Sequence, residues 1–283
     1  MRLKRLILAS SAAFFAMSST ALASRPTEGG YWLQEAATPV MQELTKLHNF
    51  VSWIILGITL FVMVLMAYIM FRFSAKRNPV PSKTTHHVGL EVAWTILPII
   101  ILLIMVVPSM RLLYLQDALP ETEMTIKVTG NTWNWEYAYP EFENVESFIS
   151  NPLEKEDADA AGVPYLLATD APLVVPVETK VKVLVTSSNN LHSFAMPAFG
   201  VKMDAVPGRI NETWFEVLPG KEGTYYGQCS EICGIKHYKM PIEIKVVSKA
   251  EFKRWVANDG AFTTSVAALG NNNMSGGVTA AQK

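Results

Sequence analysis

The chain has 283 residues, 50% of them hydrophobic and only 17% charged, with a formal net charge of −1. Globular proteins average about 25% charged residues, so a wholly soluble chain fits poorly and membrane segments are expected. Residues 1–111 hold ten basic and four acidic side chains, which leaves 14 basic and 21 acidic, a net −7, in residues 112–283; such a surface repels nucleic acid and attracts a basic partner.

Residues 1–5 are basic, residues 6–17 are apolar and small, and Ala21-Leu22-Ala23 has the small-x-small form of a cleavage site. The apolar run is too short to span a bilayer, so residues 1–23 are predicted to be a removable signal peptide, with an uncleaved anchor as the alternative. Residues 24–49 then form an N-terminal segment on the outer side. Residues 50–71 run 22 positions without a charge, enough to cross a hydrocarbon core of about 30 Å. Residues 92–110 form a second uncharged run, with Pro98 inside it and Pro108 near its end; membrane helices tolerate proline. The loop between the runs carries Arg72, Lys76, Arg77 and Lys83 and no acid before Glu91. By the positive-inside rule it is cytoplasmic. A transmembrane helical hairpin over 50–111 with both long ends outward is the expectation.

From residue 122 the texture changes. Residues 124–128, 132–139, 173–177, 181–186, 212–217 and 224–228 are short runs rich in Val, Ile, Thr, Tyr and Trp. Turn residues such as Gly130-Asn131, Pro207-Gly208 and Pro219-Gly220 bound them. Strands spaced this way predict a β-sandwich or barrel over 112–257, anchored to the membrane by the hairpin. Residues 141–162 are acidic and read as an inserted surface loop. Residues 258–283, rich in Ala, Gly, Asn, Ser and Thr, read as a disordered tail.

One constellation carries the metal chemistry. Gln228-Cys229-Ser230-Glu231-Ile232-Cys233-Gly234-Ile235-Lys236-His237-Tyr238-Lys239-Met240 puts two thiols, an imidazole and a thioether close together, and His192 lies near the end of an earlier strand where it could close the site. Exported cysteines usually oxidise to a disulfide, but a ring this small would tie down little structure and leaves His237 and Met240 unexplained. Zinc takes two Cys and two His but gives Met240 no role, since thioethers are soft ligands favoured by copper. A mononuclear blue-copper site needs only one Cys. Two bridging thiolates with one imidazole each suit a pair of coppers, with Met240 and a backbone carbonyl as weak axial ligands; disulfide and zinc remain as alternatives.

In order and spacing these residues resemble the CuA motif of cytochrome c oxidase subunit II. The likeness extends to Gly89-Leu90-Glu91-Val92-Ala93-Trp94-Thr95-Ile96-Leu97-Pro98 at the start of the second span, to Trp133-Asn134-Trp135 with Tyr137 and Tyr139, and to Lys202-Met203-Asp204-Ala205-Val206-Pro207-Gly208-Arg209. It covers residues from about 40 to 257. The resemblance implies a cupredoxin-like barrel behind a two-helix hairpin. It implies that His192 and Met240 complete one copper, that His237 and the Glu231 carbonyl complete the other, and that Cys229 and Cys233 bridge both. It implies that the Glu231 carboxylate ligates a magnesium ion at the contact with subunit I, with Asp204 in its water shell, a hard ligand for a hard ion. Trp133 would be where electrons arrive from cytochrome c, although an aromatic on a strand is more often core. Glu91 would open a proton-uptake path into subunit I, or else be an interfacial anchor. His86 and His87 receive no role. The sequence departs from the family at Asn131-Thr132, where many relatives have His-Gln.

The resemblance further implies a multi-pass inner-membrane subunit with its copper domain in the periplasm. It would pass electrons from cytochrome c to the haem of subunit I for O2 reduction coupled to proton translocation, with subunit III as a further partner. A quinol oxidase subunit would lack the copper ligands, and a soluble CuA enzyme such as nitrous oxide reductase would lack the spans. A copper carrier for export or assembly would have no use for Trp133, Asp204 or Glu91.

Overall fold

The computed structural model describes residues 26, 27 and 29–262. The signal-peptide reading and most of the tail lie outside the described residues. The chain divides into a helical unit, Pro39–Leu119, and a β unit made of the residues up to Thr38 together with those from Pro120 onward.

The helical unit is a hairpin of α1 (Pro39–Arg72) and α2 (Val88–Asp117). At 1.5 Å per residue these are about 51 and 45 Å long, well beyond a hydrocarbon core of about 30 Å, so the apolar runs lie inside longer helices. The most apolar window of each helix has no buried residue, as expected for side chains that face lipid. Pro98 and Pro108 sit within α2, which continues through both. His87, given no role by the sequence, caps α2: its ring Nδ1 accepts the Leu90 N–H at 3.2 Å. The Glu91 carboxylate reaches back to the His87 N–H at 3.1 Å, satisfying a second donor that the first turn leaves free.

The β unit is a sandwich of two five-stranded sheets. Its strands are β1 (Met124–Asn131), β2 (Asn134–Ala138), β3 (Phe148–Ser150), β4 (Leu173–Pro176), β5 (Lys180–Ser187), β6 (His192–Met196), β7 (Val201–Ala205), β8 (Asn211–Glu216), β9 (Gly223–Cys229) and β10 (Pro241–Val247). One sheet has the order β3-β2-β1-β5-β8 and the other β4-β10-β9-β6-β7. Period-two alternation drives the packing: Val181, Val183 and Val185 of β5 and Met124, Ile126 and Val128 of β1 are buried, and these two strands pair in parallel. Trp135 and Tyr137 bury a second aromatic layer from β2. The Tyr139 hydroxyl both donates to Val174 O at 2.8 Å and accepts from Val174 N at 2.9 Å, tying the end of β2 to the other sheet.

The structure differs from the sequence reading at several points. The β1–β2 turn falls at Thr132-Trp133, and Gly130-Asn131 belongs to β1. The acidic insertion is not all loop: β3 pairs with β2, and α3 (Lys155–Ala161) follows, closed by Gly162 at φ +68°. Ser248 opens a final helix, α4 (Lys249–Ala257), by accepting the Glu251 N–H at 3.2 Å. Its Phe252 and Trp255 pack on Tyr139, and Phe262, at the start of the expected tail, packs on Trp255. The segment before α1 is stitched to the β unit, with Ala37 N donating to Ala198 O, Leu218 N to Ala37 O, and Thr38 Oγ1 to Phe199 O.

Candidate metal centre

Three pieces of backbone converge at one end of the sandwich: the start of β6, the end of β9 with the loop that follows it, and the Thr132-Trp133 turn. Sheet pairing brings the first two together, since Phe194 of β6 lies opposite Cys229 of β9. The Ser230 N–H donates to Ser193 O at 3.0 Å, and the Cys229 N–H donates to Met240 O at 3.0 Å, closing the loop on itself. A 3₁₀ turn, His237–Lys239, then leads into β10.

His192, Cys229 and Cys233 each offer a donor atom within 4.8 Å of the others. The atoms form a row: His192 Nδ1 is 3.8 Å from Cys229 Sγ, which is 3.8 Å from Cys233 Sγ, which is 3.6 Å from His237 Nδ1. The two sulfurs occupy the middle and one imidazole stands at each end. Both cysteines are free and buried. The Glu231 carbonyl lies 3.3 Å from Cys229 Sγ, and Met240 is buried beside the loop.

Local sequence makes room for this arrangement. The His192 ring packs over Gly130, where a Cβ would stand 2.9 Å from the ring Cδ2. Trp135 abuts the same ring edge-on, with centroids 6.0 Å apart. Burial holds His192 below the ordinary imidazole range, and the nearby His237 adds to the effect; both favour the neutral form that can ligate a metal. Burial, with the adjacent Cys229, pushes the Cys233 thiol up to about 12. Two thiolates this close resist joint ionisation unless a cation lies against both. The donor set is soft, with sulfur and imidazole nitrogen, and it suits copper better than a hard ion.

Trp133 is half-buried, and its indole N–H donates to Cys233 O at 3.1 Å. The Lys236 ammonium lies 5.8 Å from the centre of its ring. The Asn190 amide donates to the same Cys233 carbonyl at 3.2 Å; nothing in the local pattern singled this residue out. Asp204 is exposed on β7 opposite Ser193, so a row across β7, β6 and the end of β9 runs from Asp204 through Ser193 to Ser230, next to the half-buried Glu231. Glu91 belongs to the helical unit, where its carboxylate caps α2.

Residues 124–247 match the family model described as cytochrome c oxidase subunit II, periplasmic domain, and residues 26–112 match the one described as its transmembrane domain. A probable cytochrome c oxidase subunit 2 of Rickettsia felis is 47% identical over 248 residues, covering 87% of this chain and 76% of the relative. The cytochrome c oxidase subunit 2 of Cereibacter sphaeroides is 41% identical over 276 residues, covering 92% of this chain and 90% of the relative. The crystal structure of the periplasmic domain of subunit II of cytochrome oxidase of Bradyrhizobium japonicum is 47% identical, with a TM-score of 0.45, covering 50% of this chain and 96% of that one. Two apolar helices, a two-sheet domain and matches over both make this a two-span membrane protein, and the chain belongs to the cytochrome c oxidase subunit II family.

Proposed function

We propose that this chain is the electron-receiving subunit of a respiratory cytochrome c oxidase, and that its β unit holds two copper ions. The observation that carries this reading is the imidazole–thiol–thiol–imidazole row, whose two nitrogens and two sulfurs would be enough to hold a pair of metal ions. His192, Cys229, Cys233 and His237 would be the principal ligands, with Met240 and the Glu231 carbonyl as further, weaker donors. Copper held there would supply a one-electron carrier. The protein's part is to keep the ligands buried and fixed, so that little rearrangement accompanies each electron. Trp133 offers an indole hydrogen-bonded to the backbone of a ligand cysteine, a direct contact between the surface and the site. Cytochrome c is the donor in this reading, and the haem of subunit I, where O2 is reduced and protons are moved, is the acceptor; subunit III completes the core.

The Glu231 carboxylate is assigned to a magnesium ion shared with subunit I, with Asp204 in its water shell. Glu91 is assigned to proton uptake on the cytoplasmic side. The basic loop Arg72, Lys76, Arg77 and Lys83 supports an orientation with the copper domain in the periplasm of the inner membrane. Residues 1–23 are assigned to a signal peptide; the helical unit Pro39–Leu119 is the membrane hairpin, and the β unit from Pro120 onward, with the segment up to Thr38, is the copper domain.

Copper analysis and low-temperature EPR of the purified complex test the central claim. Two coppers above those of subunit I, and a mixed-valence signal with hyperfine structure from two nuclei, are expected. A single copper, or a signal confined to one nucleus, sinks the dinuclear site.

A further inference from the structure

The Cys233 carbonyl is held from two sides. Trp133 Nε1 donates to it at 3.1 Å and Asn190 Nδ2 at 3.2 Å, so a separate side chain serves each of its two lone pairs. The other end of the Asn190 amide accepts the Leu191 N–H at 2.9 Å. One amide group therefore spans from the backbone beside His192 to the backbone of Cys233. It links the strand that carries one end of the metal row to the loop that carries its middle.

The peptide that bears this carbonyl is followed by Gly234, which sits at φ +114°, a region that residues with a Cβ rarely adopt. A Cβ there would stand 3.2 Å from Trp133 Cζ2. Glycine is thus what lets the indole lie against the loop. It also restrains the Cys233–Gly234 peptide less than a residue with a Cβ would, and a rotated carbonyl loses the indole. Asn190 supplies the missing restraint.

We infer that Asn190 is a positioning residue for electron uptake, holding the Cys233 carbonyl in the orientation that accepts the Trp133 indole N–H. The inference rests on the proposed role of Trp133 and the copper pair. Asn is required because one end of its side chain must accept and the other must donate. Asp keeps the acceptor for Leu191 and loses the donor for Cys233; Leu has the size and neither function.

The test uses Asn190→Asp, Asn190→Leu, Trp133→Phe and the two double variants with Trp133→Phe. In the assembled oxidase, both Asn190 variants are expected to keep the wild-type copper content and the KM for reduced cytochrome c. Copper reduction at saturating donor should slow about fivefold, the effect of losing roughly one hydrogen bond's worth of orientation. On the Trp133→Phe background, which has no indole N–H to orient, neither Asn190 change should slow it further. In the copper-free full chain, with tryptophan ¹⁵N-labelled and the Trp133 signal assigned by its loss in Trp133→Phe, the indole N–H should exchange with D2O about fivefold faster in both variants. That measurement needs no assembled complex. If Asn190→Asp exchanges and transfers electrons like wild type, Asn190 only braces its own loop and the inference is overturned. If the Asn190 effect persists at full size on the Trp133→Phe background, it acts by another route and the inference is overturned as well. A wild-type complex without two coppers in this domain refutes the site reading itself, which is a separate failure.

Discussion

Glu243 stands on β10 just beyond the reach of β4, whose pairing begins at Ile244, and its carboxylate accepts the Thr169 N–H at 2.7 Å. Burial pushes this carboxyl up to about 7 from an ordinary 4.5, although the Thr169 donors and Lys245 pull the other way. A folded-state value above the unfolded one means that the unfolded chain ionises first. The contribution of Glu243 to stability is therefore full below about pH 4.5 and is lost as pH rises through about 7, with an upper size of roughly 3 kcal/mol for such a shift. Glu243→Gln keeps an acceptor for Thr169 and cannot ionise. It should be more stable than wild type at pH 8, with the difference fading towards pH 5. Thermal unfolding of the full chain in detergent across this range checks it; parallel curves would mean that the carboxylate is well solvated. At this scale the candidate donors could be grouped from the sequence because Cys229, Cys233, His237 and Met240 are neighbours along the chain, so spacing alone implies shared geometry. Gly130, under the His192 ring, and Asn190, on the Cys233 carbonyl, were not legible. Their partners are distant in sequence, and neither residue belongs to a pattern that local spacing can express.

Among the elements, the start of α2 holds Glu91, the residue assigned to proton uptake. Glu91 caps the helix through the His87 N–H, a structural role that would exist without any proton path. The two roles separate by substitution. Glu91→Gln retains an oxygen that can accept from His87, so the helix start should persist, but it cannot carry a proton as a carboxylate does. Steady-state turnover of the assembled oxidase is expected to fall severalfold in Glu91→Gln, with the copper EPR spectrum unchanged. Wild-type turnover in a fully assembled variant would leave Glu91 as a cap alone. Element boundaries were only partly legible. The apolar runs gave both helices, yet α1 and α2 extend past them because polar residues such as Glu43 and Asp117 continue a helix at no great cost. β6 was legible only as a strand end at His192, because four of its five residues are buried, which erases the alternation that marks a half-exposed strand. β10 does alternate, with Ile242, Ile244 and Val246 buried, but it begins at a proline, a residue admitted at the first position of a strand and otherwise read as a stop. The Ser248-Lys249-Ala250-Glu251 signature of α4 was present in the sequence and is a capping pattern with a clear mechanism.

Over the whole molecule, charge and chemistry occupy different places in the β unit. Residues 112–283 carry a net −7, but the described neighbours of the Trp133 indole and its acceptor, Asn190, Gly234 and Lys236, include no acid. Acids approach the metal loop from the side instead. Lys239, in the turn after His237, pairs with Glu154 at 2.5 Å, which brings α3 alongside with Glu156 and Asp157 in its first turn. Lys155 and Asp159 of the same helix neutralise each other at 2.8 Å, so Glu156 and Asp157 carry the uncompensated charge of that helix. Docking and electron transfer should then respond to different substitutions. Attraction between exposed charges is screened over about 8–10 Å at 0.10–0.15 M salt and governs association more than the step after it. Glu156→Gln with Asp157→Asn should raise KM for a basic cytochrome c severalfold and flatten its salt dependence, while turnover at saturating donor stays near wild type. Trp133→Gln should do the reverse, because an indole adds little to long-range attraction: KM and copper content hold, and copper reduction slows at least tenfold. Steady-state assays across ionic strength, paired with stopped-flow reduction of the copper pair, distinguish the two. If the α3 variant leaves KM and its salt dependence untouched, the donor docks away from the insertion; if Trp133→Gln reduces copper at the wild-type rate, the indole is a packing residue and electrons arrive elsewhere on the loop.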